Sequence, residues 1–177
     1  GNSNISLVGN YSGHTNSGDN ITAMGYAAGY QNTGHNLTAL GYTAGYQNTG
    51  ARVTALGYYA GRENTAADGV FIGYQAGYQN TTANQFILRQ ANINSTPLIQ
   101  GDFATGHVGF GDTTPASLLT VGAGDAFQVN DNGQVVAGTW MGDVISVTYG
   151  GTGTSTQFTQ GSIVFAGASG VYTEDNA

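Results

Sequence analysis

Between residues 20 and 83 a short apolar run alternates with a Gly-, Tyr- and Asn-rich stretch, and the alternation returns every 16 residues. The units read NITAMGYAAGYQNTGH (20–35), NLTALGYTAGYQNTGA (36–51), RVTALGYYAGRENTAA (52–67) and DGVFIGYQAGYQNTTA (68–83), and NISLVGNYSGHTNSGD (4–19) is a looser copy. Five gapless units are the signature of a stacked repeat architecture. Sixteen residues is too short for a helix pair and suits one coil of a parallel β-roll or solenoid, predicted here as two short strands and two turns. Gly recurs at the sixth position (Gly25, Gly41, Gly57, Gly73) and the tenth (Gly29, Gly45, Gly61, Gly77), where the corners of a coil need positive φ or close backbone approach. Coils stacked at strand spacing would span roughly 24 Å.

Within each unit, position two carries Ile5, Ile21, Leu37 and Val53, and position four Leu7, Ala23, Ala39, Ala55 and Phe71. Position five carries Val8, Met24, Leu40, Leu56 and Ile72. Side chains alternate across a strand, so positions two and four share one face and position five takes the other. Both faces are apolar, yet a thin roll buries only one. The outer face then calls for a cover, most simply sister chains. Which face lies inside is left open by the pattern alone.

The period breaks after Ala83. Asn84–Arg89 keeps a strand-like run, and Asn94-Ser-Thr-Pro97 reads as a turn. Short strands are predicted at His107–Phe110, Leu118–Val121, Phe127–Val129 and Gln134–Val136, with Asp131-Asn132-Gly133 as a hairpin turn. Further strands are predicted over 143–150, 161–165 and 170–172, with Trp140 before them and a Gly150–Gly153 loop between. These pieces are too short and polar to build a core alone. The predicted organisation is a β-roll head over 1–83, a transition over 84–102 and a β-hairpin shaft over 103–177.

Composition narrows the class. Gly is 30 of 177 residues, which a helical bundle does not tolerate, and Pro is only 2, which excludes collagen. With 11 Tyr, 7 Phe and only 7% charged residues, disorder is a poor fit. Cys is 0, so disulfides and thiolate metal sites are excluded. The formal charge is −7; the cations are Arg52, Arg62 and Arg89, and residues 90–177 hold seven acids and no Lys or Arg. Nucleic acid and anionic membranes are therefore poor partners. No apolar run reaches the roughly 18–20 residues of a membrane span. The start at Gly1 reads as that of a piece cut from a longer chain.

The repeat resembles the heads of trimeric autotransporter adhesins (YadA-like heads), whose coils carry an x-V-A-I-G strand, matched by Thr38-Ala39-Leu40-Gly41 and Val70-Phe71-Ile72-Gly73. The GY-x-AGY signature is similar to variants in bacterial surface fibres and phage tail fibres. LIQGDFATGHVGFGDTTPASLLTVG (98–122), TWMGDVISVTYGGTGTST (139–156) and GSIVFAGASGVY (161–172) resemble tail-fibre shaft segments. The resemblance implies an all-β, elongated homotrimer: a β-roll followed by an intertwined β-hairpin shaft. It implies an extracellular place, on a bacterial surface or a phage tail, and attachment to a glycan or protein receptor. It supplies no catalytic residue.

The candidate chemistry is accordingly that of binding and packing. Tyr26, Tyr42, Tyr58 and Tyr74 form one row; Tyr30, Tyr46 and Tyr78 form a second, interrupted by Arg62. The rows read either as ring-on-ring packing or as a sugar-stacking surface, since Tyr joins an apolar face to a polar tip. Asn32, Asn48, Asn64 and Asn80 are predicted to form an amide ladder. Thr33, Thr49, Thr65 and Thr81 raise an ice-binding reading, weakened by their place beside a turn. Gly150–Gly153 lacks the Lys and helix of a phosphate loop. His14, His35 and His107 are expected at the surface, and Asp125 and Asp131-Asn132 fit turn chemistry better than calcium. The sequons at Asn20, Asn36 and Asn80 are by-products of the repeat. No nucleophile–base set is discernible, so no enzyme, cofactor or metal is expected.

Overall fold

The computed structural model describes residues 4–93, 95–139, 163–166 and 172–175. They are all-β, and residues 4–83 form a parallel solenoid of 16-residue coils. The strands β1 (Ile5–Val8), β2 (Ile21–Met24), β3 (Leu37–Leu40), β4 (Val53–Leu56), β5 (Gly69–Ile72) and β6 (Gln85–Leu88) pair in parallel, each residue opposite the one 16 further on. The parallel stack thus runs one strand past the exact repeat, through β6. Then β7 (Ile99–Asp102), which the pattern had not suggested, pairs antiparallel with β6 and with β8 (His107–Phe110). β9 (Leu119–Val121) lies parallel to β8 and antiparallel to β10 (Phe127–Val129), which pairs with β11 (Val135–Ala137) around the Asp131–Gly133 turn. All eleven form one sheet. Residues 139–177 make a separate unit, in which β12 (Ile163–Ala166) and β13 (Tyr172–Asp175) pair antiparallel. The predicted Trp140 segment, the strand over 143–150 and the Gly150–Gly153 loop lie outside the described residues.

Each coil has one strand, not two. The stretch after position five winds through turns: in the coil over 36–51 Gly41, Thr43, Gly45 and Gln47 all have positive φ, as does Asn36 before the strand. The same five columns recur coil after coil. A non-Gly residue in this region costs about 1 kcal/mol or more. The compensation is a repeated hydrogen bond. Asn36 N–H donates to Asp19 O (2.8 Å), Thr43 N–H to Tyr26 O (2.8 Å) and Gln47 N–H to Tyr30 O (2.8 Å), each 17 residues back. The left-handed turns aim these donors along the stack, so the coil outside the strand is also tied to its neighbour. At Gly41 (φ 135°) a Cβ would meet Gly57 O at 2.4 Å, so only Gly allows the coils this approach.

Positions two and four face inward. Ile21, Leu37 and Val53 with Ala23, Ala39 and Ala55 pack against Ala28, Ala44, Ala60 and Ala76 from the turn side, all at 1% exposure or less. The fifth coil exchanges sizes, with Gly69 at position two and Phe71 at position four; the Phe71 ring fills the space a Gly69 side chain would take. Position five faces outward. Following the pairing across the sheet gives one register row: Val8, Met24, Leu40, Leu56, Ile72, Leu88, Ile99, Phe110, Val121 and Phe127. All ten are apolar and none is buried. At about 4.8 Å per strand this spine runs roughly 43 Å and survives the change from parallel to antiparallel pairing.

Candidate functional site

The turn half of each coil projects two aromatic columns, at positions seven and eleven. Residues 16 apart stand one coil apart, so their rings stack. Tyr26–Tyr42, Tyr42–Tyr58 and Tyr58–Tyr74 have centroids 5.2, 5.1 and 5.1 Å apart with planes within 11°. In the second column His14 stacks on Tyr30 (5.4 Å) and Tyr30 on Tyr46 (5.1 Å). Arg62 does not interrupt this column but continues it: its guanidinium carbon lies 4.9 Å from the Tyr46 centroid and 5.9 Å from that of Tyr78. The offset-stacked rings and the sandwiched guanidinium are favourable electrostatically. Within the rows the ring faces are turned to one another, so a sugar cannot lie flat on them.

Between the columns runs position eight, which is small at Ala27 and Thr43 but aromatic at Tyr11 and Tyr59. The result is an open groove of about 510 Å³. Tyr26 and Tyr42 form one wall and Tyr30 and Tyr46 the other; Ala27 and Thr43 form the floor, Tyr11 stands at one end, and Tyr59 with Arg62 at the other. Of the predicted row residues these four tyrosines line the groove, while Tyr58, Tyr74 and Tyr78 do not. Tyr11, Tyr59 and Thr43 were missed, because the repeat draws attention to the constant columns; the available signal was an aromatic breaking a column of small residues.

The electrostatics of the groove centre on Arg62. Its Nε donates to Glu63 Oε1 at 3.0 Å, and its guanidinium lies 4.7 Å from the Tyr59 centroid. Partial burial works against its charge, but the Glu63 hydrogen bond and carboxylate outweigh this and raise its pKa. Tyr58 is pushed up to about 12, first by a hydrogen bond with Tyr59, then by burial and the neighbouring phenols. Thr43 is 6% exposed and its Oγ1 has no hydrogen-bond partner.

The Asn column lies inside the coil. Asn32, Asn48 and Asn64 have no exposure. Each Nδ2 donates to the amide oxygen one coil earlier: Asn32 to Asn16 (2.8 Å), Asn48 to Asn32 (2.8 Å), Asn64 to Asn48 (2.7 Å) and Asn80 to Asn64 (2.9 Å). The same nitrogen also donates to a carbonyl two residues on, such as Gly50 O from Asn48. A second, exposed column joins Asn4 to Asn20 (3.1 Å) and Asn20 to Asn36 (2.9 Å), and continues as the Arg52–Asp68 pair (2.7 Å from Nη2 to Oδ2). Hydrogen bonding to Arg52 holds the Asp68 carboxyl below its usual range.

The remaining candidates are dispersed. His35 faces Asp19 (3.5 Å) and His107 faces Asp131 (3.3 Å), while His14 belongs to the aromatic column. Thr33, Thr49, Thr65 and Thr81 are exposed beside the turn. No group of three or more metal-ligating side chains occurs among the described residues. No helix among them is long and apolar enough to cross a membrane. Comparison of the chain with protein-family models, curated proteins and solved structures finds no match.

Proposed function

We propose that this chain is a structural and adhesive segment of an extracellular homotrimeric fibre, a bacterial surface appendage or phage tail fibre, and not an enzyme. The observation that carries the reading is the ten-residue apolar spine. It holds no charged residue, lies open in the single chain, and repeats at coil spacing. A partner that matches that period over the whole row is another copy of the same chain laid alongside in register. The strands after β7 support the same reading: Phe110, Val121, Phe127 and Val135 remain 37% exposed or more, so their core must come from elsewhere. Three spines facing one axis supply it. The described residues also offer no nucleophile paired with a base.

Light scattering tests this. The expected mass is about three times the 18.1 kDa of the chain. Leu40→Asp places a charge on the spine in every copy and should dissociate the assembly, because an unpaired buried charge is not tolerated. Thr49→Asp, exposed and away from the spine, should leave mass and melting temperature unchanged. A folded wild-type monomer would sink the proposal. A second reading, a passive spacer with binding elsewhere in a longer chain, is favoured by the Tyr rows, whose ring faces are consumed in packing. A glycan array separates the two.

A further inference from the structure

We propose that the groove between the tyrosine columns binds a saccharide bearing a carboxylate. The proposal rests on the adhesive half of the function above and specifies its ligand. Three independent features lead to it. The first is enclosure. Position eight is small over two coils and aromatic on either side, so Tyr11 and Tyr59 close a groove about two coils long, the length of a sugar unit or two. The second is the character of the walls. Because the rings stack face to face along the columns, they turn their edges and hydroxyls sideways. Aromatic edges carry positive potential, which attracts oxygen atoms and repels cations. Such walls suit a hydroxyl-rich or anionic ligand and do not suit a flat apolar one.

The third feature is unspent polar capacity. At the closed end, Arg62 spends only its Nε, on Glu63; its terminal nitrogens have no hydrogen bond among the described residues. They are held in place by the rings on which the guanidinium stacks. A carboxylate is the group that matches a paired guanidinium fork. In a chain of net charge −7, the groove lining contains one cation and no acid. An acidic sugar uses the guanidinium as well as the walls; a neutral sugar uses only the walls.

The test uses titration calorimetry on the intact protein with uronate oligosaccharides and sialyl oligosaccharides, each beside its carboxyl-reduced counterpart. The expected result is binding of at least one acidic probe, tenfold or more weaker for the reduced form. The two probe arms identify the source of the carboxylate. Arg62→Gln should weaken the acidic probe about tenfold or more and bring it level with the reduced one, while Thr43→Tyr, which fills the groove with the residue that the same column carries at Tyr11 and Tyr59, should weaken both forms tenfold or more. Melting temperature and mass of each variant report the fold. Should Arg62→Gln fail to fold, the comparison of acidic with reduced probe on the wild type and on Thr43→Tyr still decides. No binding to either acidic probe, equal binding to the reduced forms, or unchanged affinity in both folded variants would overturn the proposal. So would a change in trimer dissociation on Thr43→Tyr without saccharide binding, which would make the groove a contact between copies. An intact trimer that binds no acidic sugar defeats this inference alone; a monomer defeats the fibre reading.

Discussion

The coils between Ile21 and Ile72 and the strands from β8 to β11 belong to one sheet, yet they meet solvent very differently. In the coils the strand folds back over its own turn half, and the residues between, from Ile21 to Phe71, reach 0 or 1% exposure. In the later strands there is no turn half to fold back. Val135 and Val136 are 64% and 54% exposed, and only Gly109 and Thr120 of β8 to β11 are buried. The glycines show the same contrast. A Cβ on Gly41 would strike the next coil's backbone, whereas one on Gly124, Gly106 or Gly133 would meet nothing within 4 Å. One half has a core of its own and leaves only its spine to be covered, whereas the other leaves most of its apolar surface for something else to cover.

The sharpest way to break the contrast is to add a methyl on each side of it. Gly41→Ala forces a Cβ against Gly57 O and demands a φ near 135° of an L-residue, and should cost about 3 kcal/mol or more, enough to unfold the stack locally. Gly124→Ala, at φ 78° in open space, should cost only about 1 kcal/mol. Equal melting temperatures for the two would remove the distinction. Next in size is the size exchange in the fifth coil. Gly69→Val drives its side chain into Phe71 and should cost about 2–3 kcal/mol by overpacking. The double variant Gly69→Val, Phe71→Ala restores the Val–Ala pairing of the coil before it, and should recover most of the loss. A double variant no better than the sum of its parts would mean that the coils are not interchangeable.

Smaller again is the amide column. Asn48→Ala strands the Asn32 oxygen and the Gly50 carbonyl in a dry interior and should cost about 2 kcal/mol in denaturant titration. Asn130→Ala, which removes an exposed turn acceptor for Asn132 and Gln134, should cost under about 1 kcal/mol. The smallest effect belongs to the exposed Arg52–Asp68 pair. The folded Asp68 carboxyl lies below its ordinary value near 3.9, so the pair's contribution is present above that value and is lost as pH falls through the folded one. Melting curves of wild type and Arg52→Gln should therefore differ slightly at pH 6 and converge below about pH 4. A gap that stayed constant would assign the difference to packing.

Legibility in the sequence follows the same division. Identity at a spacing of 16 announced the coils, the parallel register and the inward and outward columns, because each column sees the same surroundings in every coil. Handing positions two and four to the interior took the structure, since Met24 and Leu40 are as apolar as Ile21 and Leu37. The second strand predicted for each coil is absent because a length of 16 residues does not by itself say how a coil divides between strand and turn. Nothing about Ala27, Thr43 or Gln47 advertises a left-handed backbone; it is imposed by donors reaching the coil before. The strand over Asn84–Arg89 was legible and is β6, but its place in the stack was not, because Arg89 stands where Gly73 stood one coil earlier; β7 was hidden in Ile99-Gln-Gly-Asp102, where only one residue is strongly apolar. The groove was half legible: its walls repeat, whereas its ends are defined by Tyr11 and Tyr59, departures from the repeat.

The buried Asn column behaves as a single object. Every amide in it points the same way, nitrogen toward the earlier coil, and each nitrogen is also tied to a carbonyl of its own turn. Turning one amide over would set oxygen against oxygen above, nitrogen against nitrogen below, and oxygen against that carbonyl as well. A reversed link therefore creates two faults at once, like a wall on either side of a flipped spin in a magnetic chain, and the column tolerates none. The stack consequently has a sense of direction written in its side-chain dipoles as well as in its backbone. A coil spliced in with Asn at its thirteenth position extends the column without disturbing it, and a coil without one cuts it into two shorter columns. Growth by whole 16-residue units, in one polarity, is the change in length that this architecture absorbs most easily.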